Sequence, residues 1–376
     1  MTNIKQYMKN ITYIFSQNRK TNLLSKKLEA REFYYGADYF EKENNLKIIE
    51  FNDGNNRILK IFDRLISRYA SLPFYTSKLT NLKNFKTIYR SDYVFLINEG
   101  VGFSSIFLII FSKIFNKNLK VSLFVMGLYS KKLRYRNLKF LHNLLIKILV
   151  FFMDNVLFLG EREFDIASKM HSKKSVKKLK FVPFCIDTEF WSPQVSYKER
   201  ISNSVIFIGN DSNRDFDLLI SIIKSLTDIN FIIVSSNPIF DQISLPNVTI
   251  YKGVWGSSIF SDYDIKKIYE SAKISIIPLK QSSQPSGQSV ALQSMSMGVP
   301  VMITDTIGFW EKKAFTQNEN IIFIKSFEKN DWIKKITEQL DNLESLEKIS
   351  KNSSINVQEK YNLQNFYATL NEIVNK

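Results

Sequence analysis

The stretch Gln284-Pro-Ser-Gly-Gln-Ser-Val-Ala-Leu-Gln-Ser-Met-Ser-Met-Gly-Val-Pro-Val-Met-Ile-Thr304 limits this chain more than any other part of it. It runs from a polar loop with one glycine, through a helix, to a glycine stop at Gly298 and a buried strand at Pro300–Thr304. Ahead of it, Ile274–Pro278 is a second short apolar run of strand character. Strand, loop, helix and strand in that order make a βαβ unit, whose ligand lies at the strand C-termini. At the start of such a helix the backbone N–H groups have no partners within the helix. The N–H groups of Gly287, Gln288 and Ser289 therefore form an expected anion site, helped by the helix dipole. The same unit also serves packing alone in many α/β proteins, so the pattern by itself leaves the ligand open.

The rest of the chain fits a repeated α/β plan. In the first half, Ile11–Phe15, Leu46–Phe51, Tyr93–Ile97, Val121–Val125 and Val156–Leu159 read as strands. Helical spacing fills residues 23–43, 103–116 and 131–152 between them. A segment with two prolines and several aromatic residues, Phe181-Val-Pro-Phe-Cys-Ile-Asp-Thr-Glu-Phe-Trp-Ser-Pro193, breaks the alternation. Strands then resume at Ser204–Gly209, Phe231–Val234, Val248–Tyr251 and Asn320–Ile324, with helices from about Arg214 and over 264–272. Strands alternating with helices imply parallel sheets covered on both faces. At 376 residues the chain has room for two such domains.

Two of these segments carry a resemblance. Ser286-Gly287-Gln288, followed by Leu292-Gln293-Ser294-Met295-Ser-Met-Gly298-Val-Pro300-Val301, is similar to the nucleotide-sugar motif of GT-B glycosyltransferases of the group 1, family 4-like type. That motif carries a glutamate, a glycine turn and then Leu-Glu-Ala-Met-Ala-x-Gly-x-Pro-Val. The 181–193 segment resembles the GT-B interdomain motif, Val-Pro-x-Gly-Val-Asp-x-x-x-Phe-x-Pro, with Cys185 in place of the glycine. The resemblance implies two Rossmann-like domains with parallel sheets facing a central cleft. Residues 1–185 would bind the acceptor, 186–355 would bind the nucleotide sugar, and 356–376 would return to the first domain. Two departures stand out. Gln293 and Ser294 replace Glu-Ala, and Gln284, Pro285 and Ser286 fill the region of the upstream glutamate. An amide at 293 can still hydrogen-bond a ribose but offers no charged acceptor.

What the resemblance implies for sites follows residue by residue. Arg214, in the loop after the first strand of the second domain, corresponds to a basic residue that meets the donor diphosphate. A helix-start arginine paired with Asp215 or Asp217 is the plainer reading. Lys280 is a second candidate for the diphosphate, or a solvated loop lysine. Ser286, Gly287, Gln288 and Ser289 would hold phosphate, Gln293 the ribose, and Thr304, with Asp305 and Thr306, the sugar. On the first domain, Glu99 follows a strand between Asn98 and Gly100, so it is either a base in the cleft or a helix cap. Gly100 and Gly127 belong to the acceptor side, and Met126-Gly127 stands where the family has histidine-glycine. A retaining transfer of hexosyltransferase type would need no dedicated base.

Other chemistries find less support. Asp215-Phe-Asp217 and Asp262-Tyr-Asp264 look like metal-binding triplets, but both sit at helix starts, where aspartate caps N–H groups. No metal or other cofactor is expected beyond the nucleotide sugar as co-substrate. The single cysteine, Cys185, excludes a disulfide framework. His142 is read as a packed core group and His171 as exposed. Charge is uneven: residues 1–185 hold 33 Lys and Arg against 14 Asp and Glu, while 186–376 hold 19 against 22. A basic first half points to an acidic acceptor, an anionic membrane or nucleic acid. Lys131, Lys132, Arg134, Arg136 and Lys139 lead into the apolar run Phe140–Phe152, which suits either a buried helix or one lying on a membrane surface. No leader is legible at Met1–Gln6, and no run is long enough to span a bilayer. The expectation is a cytoplasmic glycosyltransferase at the inner face of a membrane, making a bacterial surface glycan on a saccharide or lipid-linked acceptor, with no nucleic-acid partner. A nucleotide-sugar epimerase of GT-B architecture and a non-catalytic polyanion binder are the alternatives. The epimerase lacks its paired acidic and histidine groups here, and the polyanion binder leaves the phosphate loop unexplained.

Overall fold

A computed structural model describes residues 8–16, 19–25, 29–52, 54, 56–201, 203–253 and 260–376, so Met1–Gln6 and part of the 23–43 stretch lie outside it. The chain forms two compact units. One comprises Met1–Leu28, Phe33–Val182 and Tyr367–Lys376; the other comprises Glu29–Glu32 and Pro183–Phe366.

The first unit is built on six strands: β1 (Asn10–Phe15), β2 (Asn45–Glu50), β3 (Tyr93–Ile97), β4 (Lys120–Val125), β5 (Asn155–Phe158) and β6 (Leu179–Phe181). All its pairings are parallel, in the order β2-β1-β3-β4-β5-β6. The central strands read as continuous apolar runs because both faces are covered; every residue of β3 is buried. The second unit repeats the plan with β7 (Ser204–Ile208), β8 (Asn230–Val234), β9 (Val248–Tyr251), β10 (Ile274–Ile277), β11 (Val301–Thr304) and β12 (Ile322–Ile324). Its order is β12-β11-β10-β7-β8-β9, again parallel throughout.

Strand order decides where a ligand can enter. In the second sheet the chain runs outward from β7 to β9, then returns to place β10 on the other side of β7. The loops after β7 and β10 therefore diverge from adjacent strand ends, which opens a crevice at that switch point.

Some expected elements divide differently. The 23–43 stretch holds a helix at Arg19–Ser25, a 3-10 turn at Glu32–Tyr34 and a short helix at Ala37–Phe40. Tyr35 and Gly36, at φ 51° and 88°, break any continuous helix there. The helix expected over 131–152 begins only at Lys139. Two helices, Arg57–Ala70 and Leu82–Tyr89, occupy a region the alternation reading passes over. The chain's last helices are Leu343–Lys360 and Leu363–Asn375.

Candidate functional site

Arg214 sits at the switch point between β7 and β10. The loop after β7 runs antiparallel to residues 278–280: Asp215 N donates to the Pro278 carbonyl (3.0 Å) and Lys280 N to the Asn213 carbonyl (2.8 Å). Those bonds fix the backbone on either side of Arg214. Its side chain is only 3% exposed. Two glycines leave the space it occupies. A Cβ on Gly209 would overlap the guanidinium, and one on Gly287 would stand 3.1 Å from Nη1 and 2.9 Å from Ile277 Cγ2.

The guanidinium is poorly matched within the protein. Nη1 lies 3.3 Å from Asp211 Oδ2, close enough for attraction. Neither Nε nor Nη1 makes a hydrogen bond of good geometry. Burial lowers the pKa of Arg214, with Asp211 opposing that shift. A desolvated cation with two unused donors leaves a strong preference for an anion at that point.

The helix Gln288–Ser296 supplies the second half of the site. Gly287 precedes it at φ 77°, a left-handed conformation that favours glycine, and this N-cap residue supplies no side-chain hydrogen bond. Ala291 N bonds the Gly287 carbonyl, so the helix opens at that residue. Its first-turn N–H groups have no acceptor within the helix. Asn213 Nδ2 donates to Ser286 Oγ (2.8 Å) and to Gln284 Oε1 (3.2 Å), tying the β7 loop to the β10 loop. Beside these groups lies a cavity of about 170 Å³, lined in part by Gly209, Asp211, Arg214, Asp262, Ser289 and Val290.

The structure thus brings together Arg214, Ser286, Gly287 and Ser289. Gln288 is buried at the helix start. Lys280 is exposed and outside the cavity lining, with its backbone bonded to Asn213. Thr304 is fully buried, and its Oγ1 accepts from Leu279 N (2.8 Å), joining the ends of β10 and β11. Gln293 is also fully buried and outside the cavity lining. Its Nε2 donates to Glu32 Oε1 (2.8 Å), while its Oε1 has no partner.

Glu32 carries no signal in the sequence, because its partners lie 155 to 261 residues away. Besides Gln293, its carboxylate accepts from Trp191 Nε1 (2.7 Å) and Asp187 N (3.3 Å). Burial raises its pKa to about 7. A carboxylate so placed stands against Gln293, the position where the motif resembled above carries its own. Arg31, next in the chain, grips Asp187 through Nε (2.6 Å) and Nη2 (3.0 Å).

One aspartate of each triplet caps a helix. Asp215 accepts from Leu218 N (3.1 Å), and Asp264 forms a reciprocal capping box with Ser261. Asp262 accepts from Ala30 N (3.0 Å). Among the described residues no three His, Cys, Asp or Glu side chains converge on one point.

On the first unit, Glu99 opens the helix Glu99–Phe115, after Asn98 at φ 92°. Glu99 Oε2 accepts from Met126 N (3.2 Å) and Oε1 meets Lys131 Nζ (3.1 Å). Gly127, at φ 119°, lies in the loop so held. Glu163, which sequence reading does not single out, grips that loop by accepting from Tyr129 N (2.9 Å). Burial raises the Glu163 pKa to about 8, and the nearby Glu99 charge adds to the shift. Gly100 lies against Pro73 and Asn98. His142 bonds the Ala70 carbonyl (2.7 Å) as a core residue. His171, expected to be exposed, is half-buried with Nε2 2.7 Å from the Tyr129 hydroxyl, and burial lowers its pKa.

Comparison with known proteins agrees with this arrangement. Residues 202–342 match the family model for glycosyl transferases group 1. Among curated proteins no sequence match was found. The fold is shared with HepE of Anabaena, solved with UDP and glucose: 9% identity and a TM-score of 0.66, over 98% of this chain and 100% of that one. Sucrose-phosphate synthase of Thermosynechococcus elongatus is similar at 13% identity and a TM-score of 0.69, over 96% and 97%. An alpha-glucosyltransferase solved with UDP-glucose and DNA containing an abasic site follows at 11% and 0.65, over 98% and 100%. The fold is the GT-B architecture these structures share, and the match to the family model falls within the second unit.

Proposed function

We propose that this GT-B glycosyltransferase binds a nucleoside-diphosphate sugar in its second unit and transfers the sugar to a saccharide or lipid-linked acceptor. The observation that carries this reading is Arg214, a buried guanidinium whose Nε and Nη1 lack hydrogen bonds, beside the helix start at Gly287. A diphosphate meets both needs at once, taking charge-assisted bonds from Arg214 and backbone bonds from the first turn. The same groups would stabilise charge on the departing diphosphate, which lowers the barrier to transfer. No metal has a part in this reading, and the transfer is taken as retaining. UDP is the first nucleotide to test, because HepE was solved with it.

Glu32 sets a carboxyl on the amide of Gln293, where the resembled motif carries its own, and that carboxyl ionises only as pH rises through about 7. Ser286 and Gln288 complete the phosphate loop, Lys280 approaches the diphosphate from solvent, and Thr304 fixes the strand ends under the sugar. Glu99, with Gly100 and Gly127 nearby, belongs to the acceptor side on the first unit. The setting proposed is cytoplasmic, in bacterial surface-glycan synthesis, with the basic first unit meeting the inner face of a membrane rather than nucleic acid.

Thermal unfolding against a panel of nucleoside diphosphates and nucleotide sugars tests the reading. A ligand that binds only the folded state raises Tm by mass action. One base should give a selective rise, and Arg214→Ala should weaken binding roughly 10- to 100-fold through the lost charged bonds. A panel with no rise, or a rise that Arg214→Ala leaves unchanged, rejects the site.

A further inference from the structure

The first unit carries an apolar face that its core does not use. Of the 23 large apolar side chains exposed among the described residues, 17 belong to this unit. Most of them form stripes on three helices. On Arg57–Ala70 they are Ile58, Ile61, Leu65 and Tyr69; on Glu99–Phe115 they are Phe107, Phe111, Ile114 and Phe115. On Lys139–Phe152 they are Phe140, Leu144, Ile148 and Phe151. Steps of three and four residues place each set along one side of its helix. The sides toward the sheet are separate residues, such as Phe62 and Ile66, Val101 and Ile109, or Ile146 and Leu149. The three helices are neighbours, with Phe62 and Phe107 in ring contact at 6.0 Å.

Charge on the same elements has one sign. Helices Arg57–Ala70 and Glu99–Phe115, with residues 131–152, contain eleven Lys and Arg and only two acids, Asp63 and Glu99. Both acids are buried; Asp63 accepts from the Thr76 and Ser77 amides, and Glu99 is paired with Lys131. Lys113 is paired with Asp154 just beyond the third helix, which leaves nine Lys and Arg in no ion pair among the described residues, so what faces solvent is apolar and cationic together. None of the helices among the described residues is long and apolar enough to cross a membrane.

We propose that this face is a docking surface for an anionic lipid bilayer, with the three apolar stripes entering the headgroup layer and the basic residues meeting lipid phosphates. Amphipathic helices with Lys and Arg beside aromatic and aliphatic stripes bind interfaces by that combination. Long basic side chains reach lipid headgroups while their stems cover apolar surface. A second copy of this chain is a poor occupant, since a two-fold contact would set Lys and Arg against Lys and Arg. The inference deepens the membrane setting given above, and it stands on the first unit alone.

Co-sedimentation of the full chain with vesicles of phosphatidylglycerol, and separately of phosphatidylcholine, tests it. Binding is expected to the anionic vesicles, to weaken with salt, and to be far weaker to the zwitterionic ones. Phe111→Glu with Phe151→Glu, and Arg64→Glu with Lys147→Glu, should each reduce binding by about tenfold or more. Circular dichroism and the nucleotide-induced rise in Tm should be unchanged in both, which separates this surface from the nucleotide site. Absence of vesicle binding, or undiminished binding by the apolar variant, overturns the proposal. So does a dimer in sedimentation velocity that the apolar variant abolishes, because the face would then join two copies. Equal binding to duplex DNA that the basic variant alone abolishes would overturn it too, by assigning the face to polyanions in general.

Discussion

Two buried acids, Glu32 and Glu163, hold their sites in opposite units and share one physical consequence. Burial raises their pKa values from the ordinary 4.5 to about 7 and about 8. A carboxyl raised in this way binds more protons folded than unfolded. Its contribution to stability is fully present below pH 4.5 and is lost as pH rises through the folded value. For Glu163 the window therefore runs from about 4.5 to about 8. Glu163→Gln keeps an acceptor for Tyr129 N but cannot ionise. Its Tm relative to wild type should rise with pH across that window and level off above it. Parallel Tm curves for the two proteins would mean that Glu163 does not titrate there. Neither acid was legible as a site residue, for different reasons. Glu32 meets partners more than 150 residues away, and Glu163 acts on a loop from a neighbouring strand end.

Helix Gln288–Ser296 shows how an element was read correctly from local signals. Gly287 before it and Gly298 after it both take positive φ, at 77° and 65°, which is why glycine punctuates both ends. Strands β10 and β11 on either side are short apolar runs with parallel pairing. Glycine at 287 meets a second demand that spacing alone does not reveal, the space for Arg214 and Ile277. Gly287→Ala should therefore cost more than the roughly 1 kcal/mol of an ordinary glycine replacement. Guanidine unfolding measures that cost, and the same variant should bind nucleotide less tightly; a neutral outcome in both would free the turn from its assigned role. By contrast, helix Arg57–Ala70 has strong helical spacing at Ile58, Ile61, Leu65 and Tyr69, yet strand alternation alone overlooks it. Its exposed stripe could not be told from a core stripe, because sequence records apolarity and not what covers it.

At the scale of the molecule, the two-sheet α/β plan and its parallel pairing followed from alternating strands and helices. Unit membership crosses the chain order: the first unit includes Tyr367–Lys376, part of the 356–376 segment for which the resemblance implies a return, and the second includes Glu29–Glu32, which no sequence signal marks. Leu370, Ile373 and Val374 are buried, and the Tyr367 hydroxyl bonds Asp38. A fragment spanning 183–366 would lack the acceptor for Trp191 Nε1 and Gln293 Nε2 and the guanidinium on Asp187. Orphaned buried donors cost about 1–3 kcal/mol each. The fragment should therefore unfold several kcal/mol more easily than the second unit does in the full chain, and resistance to urea measures the difference. Equal resistance would show that residues 29–32 are dispensable there.

The same interleaving bears on birth rather than function. Chains emerge from the ribosome at roughly 5–20 residues per second, and N-terminal domains usually fold first. Here residues 367–376 are translated after the whole second unit, so the first unit waits for them before its last buried side chains arrive. During that interval the growing chain leaves open the surface around Gly36 and Tyr39 on which Tyr367 and Leu370 pack. Nascent chains stalled before Tyr367 should be the ones that chaperones hold and proteases cut.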